Sequence, residues 1–161
     1  MAAGGNVTPA AEFNMYGDPA SARTVFRSLT TKTLVPLDVT QQVPFSLALM
    51  DEIPGEETRV GRMLRKILPF SFRAHHQQLG LESIRLHGAV GILAVLQPEL
   101  FELREMAGDV EIRGGLTKGA TIFDRRSKPL WRFNMEVAME LDAAAAGDCI
   151  VRGLQEAGKV M

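Results

Sequence analysis

With 161 residues, 46% of them hydrophobic and 23% charged, the chain has the make-up of one globular domain large enough to bury a core of its own. A formal net charge of -1 gives it no general attraction to nucleic acid or to an acidic membrane surface, so neither is an expected partner. The single cysteine, Cys149, permits no internal disulfide, no run reaches the ~18 apolar residues of a spanning helix, and no signal peptide opens the chain; a cytoplasmic setting is expected.

The chain opens with GGNVTPAAEFN, Gly4 to Asn14, which sets two amides and a carboxylate among small residues before any helix has begun. Extended backbone over Glu12 to Asn14 would put Glu12 and Asn14 on one face and Phe13 on the other. Asp18 then caps a helix opened by Pro19, with Ala22, Val25, Phe26 and Leu29 as its apolar stripe and an end near Leu29. TLVPLDVT, Thr33 to Thr40, reads as a short buried strand with Asp38 near its carboxyl end, and Pro36 keeps it from a central ladder position. VPFSLALMDEIP follows as a short helical segment. EETRVGRMLRKILPFSFRAHHQQLG is a longer one, with Val60, Met63, Leu64, Ile67, Phe72 and Leu79 at roughly helical spacing and Pro69 expected to kink or split it. Its basic face, Arg59, Arg62, Arg65, Lys66 and Arg73, is read as solvated, and Met50 and Met63 as core filler.

After Gly80, LHGAVGILAVLQPELF is an apolar helix that opens at His87 and closes before Pro98. DVEIR, ATIFDRR and NMEVAMEL read as three strands, the first two joined through GGLTKG, Gly114 to Gly119. That loop lacks the following helix of a phosphate loop, and Trp131 is expected to pack on a sheet edge. In the last helix Asp142 is the cap, Cys149 a small buried side chain, Ile150 and Leu154 face inward, and Gly158 ends it. Helices precede and follow strands throughout, so the fold class is α/β.

An amide donates and accepts while an ionised carboxylate accepts at several positions, which is the mixture that vicinal hydroxyls need. The alternative for Asn6, Glu12 and Asn14 is a loop whose polar side chains satisfy their own backbone. His87 is open in the same way, as a proton donor with a pKa near 6.5 or as a satisfied core or capping residue. His75 and His76 are adjacent on a helix and point in different directions, so at most one of them faces a site.

Four blocks in order, GGNVTPAAEFNMYGDPASARTVF, LVPLDVT, GLESIRLHGAV with QPELF, and DVEIRGGLTKGATIFDRR, give a chain that resembles the C-terminal half of the inosine-uridine preferring nucleoside hydrolase family. The resemblance implies a partial open, mostly parallel sheet flanked by helices, with a few C-terminal strands. Residues 1–161 would form a single nucleoside hydrolase-like domain without the family's N-terminal half. It implies a calcium-dependent hydrolase that splits purine and pyrimidine ribonucleosides into ribose and base. Asn6, Glu12 and Asn14 become ribose-binding residues, Phe13 packs beside the sugar, His87 is catalytic and assists the departing base, and His75 lies in the segment near that base. Two departures accompany it. The family's DxDxxxDD motif is missing, and Gly88 stands where the family carries an aspartate that binds calcium and ribose; Ala89 stands where it usually has proline. Calcium is therefore not expected to be held by this chain alone, no metal ligand is assigned, and activity is expected to be impaired. The alternative is a non-catalytic, riboside-binding or oligomerising remnant. A half-sheet with an open edge is expected to self-associate as a homo-oligomer.

Overall fold

A computed structural model describes residues 4–159. In chain order its elements are α1 (Phe13–Gly17), α2 (Pro19–Arg27), β1 (Thr33–Leu34), α3 (Leu37–Thr40), β2 (Pro44–Ser46), α4 (Leu49–Glu52), α5 (Arg59–Leu79), β3 (Ser83–Arg85), α6 (His87–Leu96), β4 (Phe101–Met106), β5 (Gly108–Val110), β6 (Thr121–Phe123), β7 (Met135–Leu141) and α7 (Ala143–Lys159). They gather into two compact units, one from residues 4–39 and 101–140, the other from 40–100 and 141–159. The class is α/β.

In the first unit β1 runs parallel to β7, with Thr33 beside Glu136 and Leu34 beside Val137, in a sheet of order β1-β7-β4. β5 and β6 form an antiparallel pair with Asp109 opposite Ile122. The core joins Phe26, Met106, Val110, Met135 and Val137, with Met15, Ala22, Leu34, Phe123 and Met139 packed around it. α2 starts as its sequence dictates, with Asp18 Oδ1 accepting from the Ser21 amide at 3.0 Å and Pro19 in the first helical turn. It stops two residues before Leu29, because Ser28 turns extended and its amide closes back on the Val25 carbonyl. Phe26 and Ala22 face the core, while Val25 and Leu29, expected in the stripe, are exposed.

The strand expected over Thr33 to Thr40 is a correction: β1 has two residues, and the chain turns into α3 at Leu37. Pro36 has no amide to give a ladder, but its carbonyl accepts from Val39 and starts the helical turn.

In the second unit β2 lies antiparallel to β3, with buried Phe45 opposite buried Ile84. The segment expected to be wholly helical thus divides into β2 and α4. α5 is capped by Thr58, whose Oγ1 accepts from the Gly61 amide at 2.9 Å, and ends at Gly80 with φ +65, a left-handed position that glycine adopts without strain. It runs through Pro69 without being split. Arg62 donates to the carbonyls of Glu56 and Glu57, and Arg65 to those of Ile53 and Pro54, so two arginines of the supposed solvated face clamp the loop before the helix. Met63 is exposed rather than core filler. α7 packs on α4, α5 and α6, opens with Asp142 Oδ1 accepting from Ala145, and continues through Gly158 to Lys159. Cys149 is half-buried, not fully buried, with Sγ accepting from Arg152. No helix of the described residues is long and apolar enough to cross a membrane.

Candidate functional site

The opening stretch is an ordered loop. The amides of Asn6, Val7 and Thr8 converge on the Ala11 carbonyl, at 3.2, 3.3 and 3.4 Å, and Thr8 Oγ1 accepts from the amides of Ala10 and Ala11. Such closure brings Asn6 back beside Phe13, whose amide donates to Asn6 Oδ1 at 2.9 Å. Glu12 is the N-cap of α1: its Oε2 accepts from the amides of Asn14 and Met15 at 2.8 and 3.3 Å, and its Oε1 from Asn14 Nδ2 at 3.1 Å. The extended backbone expected over Glu12 to Asn14 is thus corrected to a cap and first helical turn, because the carboxylate satisfies the donors that a helix start leaves without partners.

The cap still gathers the named side chains. Asn6, Glu12 and Asn14 are tied together through α1, while Asn6 keeps its Nδ2 hydrogens and Asn14 its Oδ1 outside these bonds. Phe13 stands 65% exposed, its ring open to whatever occupies the surface there.

Beneath this segment lies the last glycine of GGLTKG. Gly119 adopts φ +82, and a Cβ there would stand 3.0 Å from Tyr16 Cα and 3.1 Å from Ala11 Cβ, so only glycine allows that approach. The loop is no phosphate cradle, since Glu111 Oε1 already takes the amides of Arg113 and Gly114. Those two bonds, Arg113's first, hold the Glu111 carboxyl below its ordinary pKa. Trp131 is partly exposed and borders an open hollow with Ile122, Phe123 and Arg126; in it Asp124 accepts from Arg126, which holds that carboxyl far below its usual range.

The histidines belong to the second unit. His87 is the first residue of α6 and half-buried, and its Nδ1 lies 2.7 Å from Oγ1 of Thr40, itself 3% exposed. Sequence reasoning gave Thr40 no role of its own; a separation of 47 positions from His87 leaves no local signal. His75 is half-buried with Nδ1 2.9 Å from the Ser71 carbonyl, one helical turn back, whereas His76 is exposed and pairs with Glu82 at 2.9 Å. Gly88 follows His87 on the exposed first turn, and a Cβ there would meet nothing within 4 Å. Among the described residues no three His, Cys, Asp or Glu side chains converge as a metal ion requires. These donors by themselves do not fit a calcium ion.

Residues 1–148 match the family described as inosine-uridine preferring nucleoside hydrolase. The chain is 37% identical over 141 residues to the non-specific ribonucleoside hydrolase RihC of Escherichia coli strain SMS-3-5, which covers 86% of the chain and 44% of that protein. Among solved structures it resembles a purine-preferring ribonucleoside hydrolase from Gardnerella vaginalis, with TM-score 0.87 and 25% identity over 98% of this chain and 50% of that one. It also resembles the plant nucleoside hydrolase PpNRh1, with TM-score 0.85 and 26% identity over 94% and 50%. The chain thus spans about half the length of the relatives it matches.

Proposed function

The chain belongs to the inosine-uridine preferring nucleoside hydrolase family, and on that premise we propose that it serves hydrolysis of the N-glycosidic bond of ribonucleosides to ribose and base. The observation that carries the reading is the hydrogen-bonded set of Asn6, Glu12 and Asn14 around the start of α1. Side by side it offers amide hydrogens, a carboxylate and an amide oxygen, the partners that the vicinal hydroxyls of ribose require. Cleavage of an N-glycoside builds positive charge on the sugar ring, and the Glu12 carboxylate offsets such charge. The exposed ring of Phe13 supplies an apolar wall for the sugar. His87 gives the departing base a proton, and His75, its ring fixed at Ser71, serves the base side.

The family resemblance implies a calcium ion, which when bound would supply a more acidic water. The described donors do not fit that ion, and no step is derived through it. Gly88 therefore favours a second reading, in which this chain binds ribosides without cleaving them. A cytoplasmic setting and assembly with further copies belong to both readings.

Incubation of the purified chain with inosine or uridine and calcium, assayed for free ribose, separates them. Release well above buffer supports the hydrolase and ends the second reading. Riboside binding by calorimetry without release supports the second reading, and no binding at all contradicts both.

A further inference from the structure

The histidine assigned above to the departing base is held by Thr40, the last residue of LVPLDVT, to which the sequence reading gave no role. The strand pair β2 and β3 creates the contact. In their antiparallel register Pro44 lies opposite Arg85, so stepping back from Pro44 and forward from Arg85 leads the same way along the pair. Thr40 is four residues before Pro44 and His87 two after Arg85, and the two side chains meet at 2.7 Å. The approach is braced twice. Buried Val43, Phe45 and Ile84 fix the strand pair, and Arg85 Nε donates to the Gln41 carbonyl at 3.0 Å, pinning the chain beside Thr40.

We infer that Thr40 is a positioning residue, whose hydroxyl holds Nδ1 of His87 so that the ring exchanges its proton through Nε2. A hydroxyl suits both charge states of an imidazole, because it accepts from Nδ1–H when the ring is charged and donates to bare Nδ1 when it is neutral. The Thr40 hydroxyl, on a residue only 3% exposed, lies 2.7 Å from His87 Nδ1. With the hydroxyl hydrogen pointed at Nδ1 of the neutral ring, the ring hydrogen sits on Nε2. During cleavage the charged ring gives its Nε2 proton to a nitrogen of the departing base as the glycosidic electron pair moves onto that base. The ring ends neutral, with Nδ1 still held by Thr40.

The inference rests on the role proposed for His87, but its test does not need turnover. Nitrogen-15 NMR of the His87 ring at alkaline pH reads the contact directly. The expected wild-type spectrum has Nε2 protonated and Nδ1 at the position of a hydrogen-bond acceptor. Thr40→Val, of nearly the same shape, moves the Nδ1 resonance, and Thr40→Ser restores it. Nδ1 unmoved in Thr40→Val, or protonated in the wild type, overturns the inference. If Thr40→Val unfolds the chain, Thr40→Ser still decides, since Nδ1 must keep its wild-type position there. Where ribose release is measurable, Thr40→Val is expected to lower kcat at least tenfold with KM unchanged. A moved resonance with an unchanged rate would instead contradict the role of His87 and leave the Thr40 contact standing.

Discussion

Glu12 serves the fold directly, and the proposed function gives the same side chain a second task in recognition. As a cap it takes the amides of Asn14 and Met15, and a carboxylate at a helix start is favoured by the donors exposed there. The same carboxylate bonds the Asn14 amide group and so fixes which way that group faces. Gly88 is the opposite case, a position with room and no side chain. Its Cβ space is empty and it lies in the first turn of α6, where glycine costs about 1 kcal/mol relative to alanine and an acidic group gains about 0.3–1 kcal/mol. Gly88→Asp is therefore expected to leave the fold intact and to raise the urea unfolding free energy by up to about 1 kcal/mol. Destabilisation beyond about 1 kcal/mol would mean that the site is not open.

Between elements, the contact that most needs its charges is the latch of α2 on β5. Arg23 reaches Asp109 through Nε and Nη2, the latter at 2.8 Å, and Arg27 Nη2 reaches it at 2.6 Å. Burial pushes the Asp109 carboxyl up, but the bonds from Arg27 and Arg23 outweigh it and leave the group below its ordinary value of 3.8. A carboxyl lowered in the folded state contributes stability that is complete above its ordinary value and is lost as pH falls toward the folded value. Asp109→Asn is expected to cost about 1–3 kcal/mol near neutral pH, by loss of charge-assisted bonds. Its gap from the wild type should narrow as pH drops below about 4, in denaturant melts run across that range. A gap constant with pH would show that the latch acts through shape and not charge.

At the same scale, what could be read from the sequence divides by distance along the chain. The caps Asp18 and Asp142, the start of α6 at His87 and the β5–β6 pair were legible, because each rests on residues a few positions apart. β3 and β4 were not, and β2 was taken into a helix: β2 and β3 have three residues each and carry no usable alternation, while β4, with six, is fully buried only at its two ends. Within the candidate site, Asn6, Glu12 and Asn14 were legible as a group, but the cap that joins them was not, since carboxylates of Glu are uncommon in that place. The Thr40 partner of His87 was invisible for the plainest reason, a separation of 47 residues.

Over the whole molecule, the chain gathers into two compact units, with Asn6, Glu12 and Asn14 in one and His87 in the other. Large apolar side chains remain outside both cores, Leu29, Val95, Leu116 and Leu130 among them. On the proposed assembly with further copies, light scattering behind a sizing column is expected to give a multiple of 17.6 kDa. A clean monomer with a cooperative melt would mean that the chain closes its core unaided. The central claim, that the start of α1 grips a sugar, is tested most directly by adding inosine to nitrogen-15-labelled protein and following the side-chain amides of Asn6 and Asn14. Both should shift together and saturate, and neither should respond in Glu12→Ala; amides that stay unmoved in the folded wild type would contradict the claim.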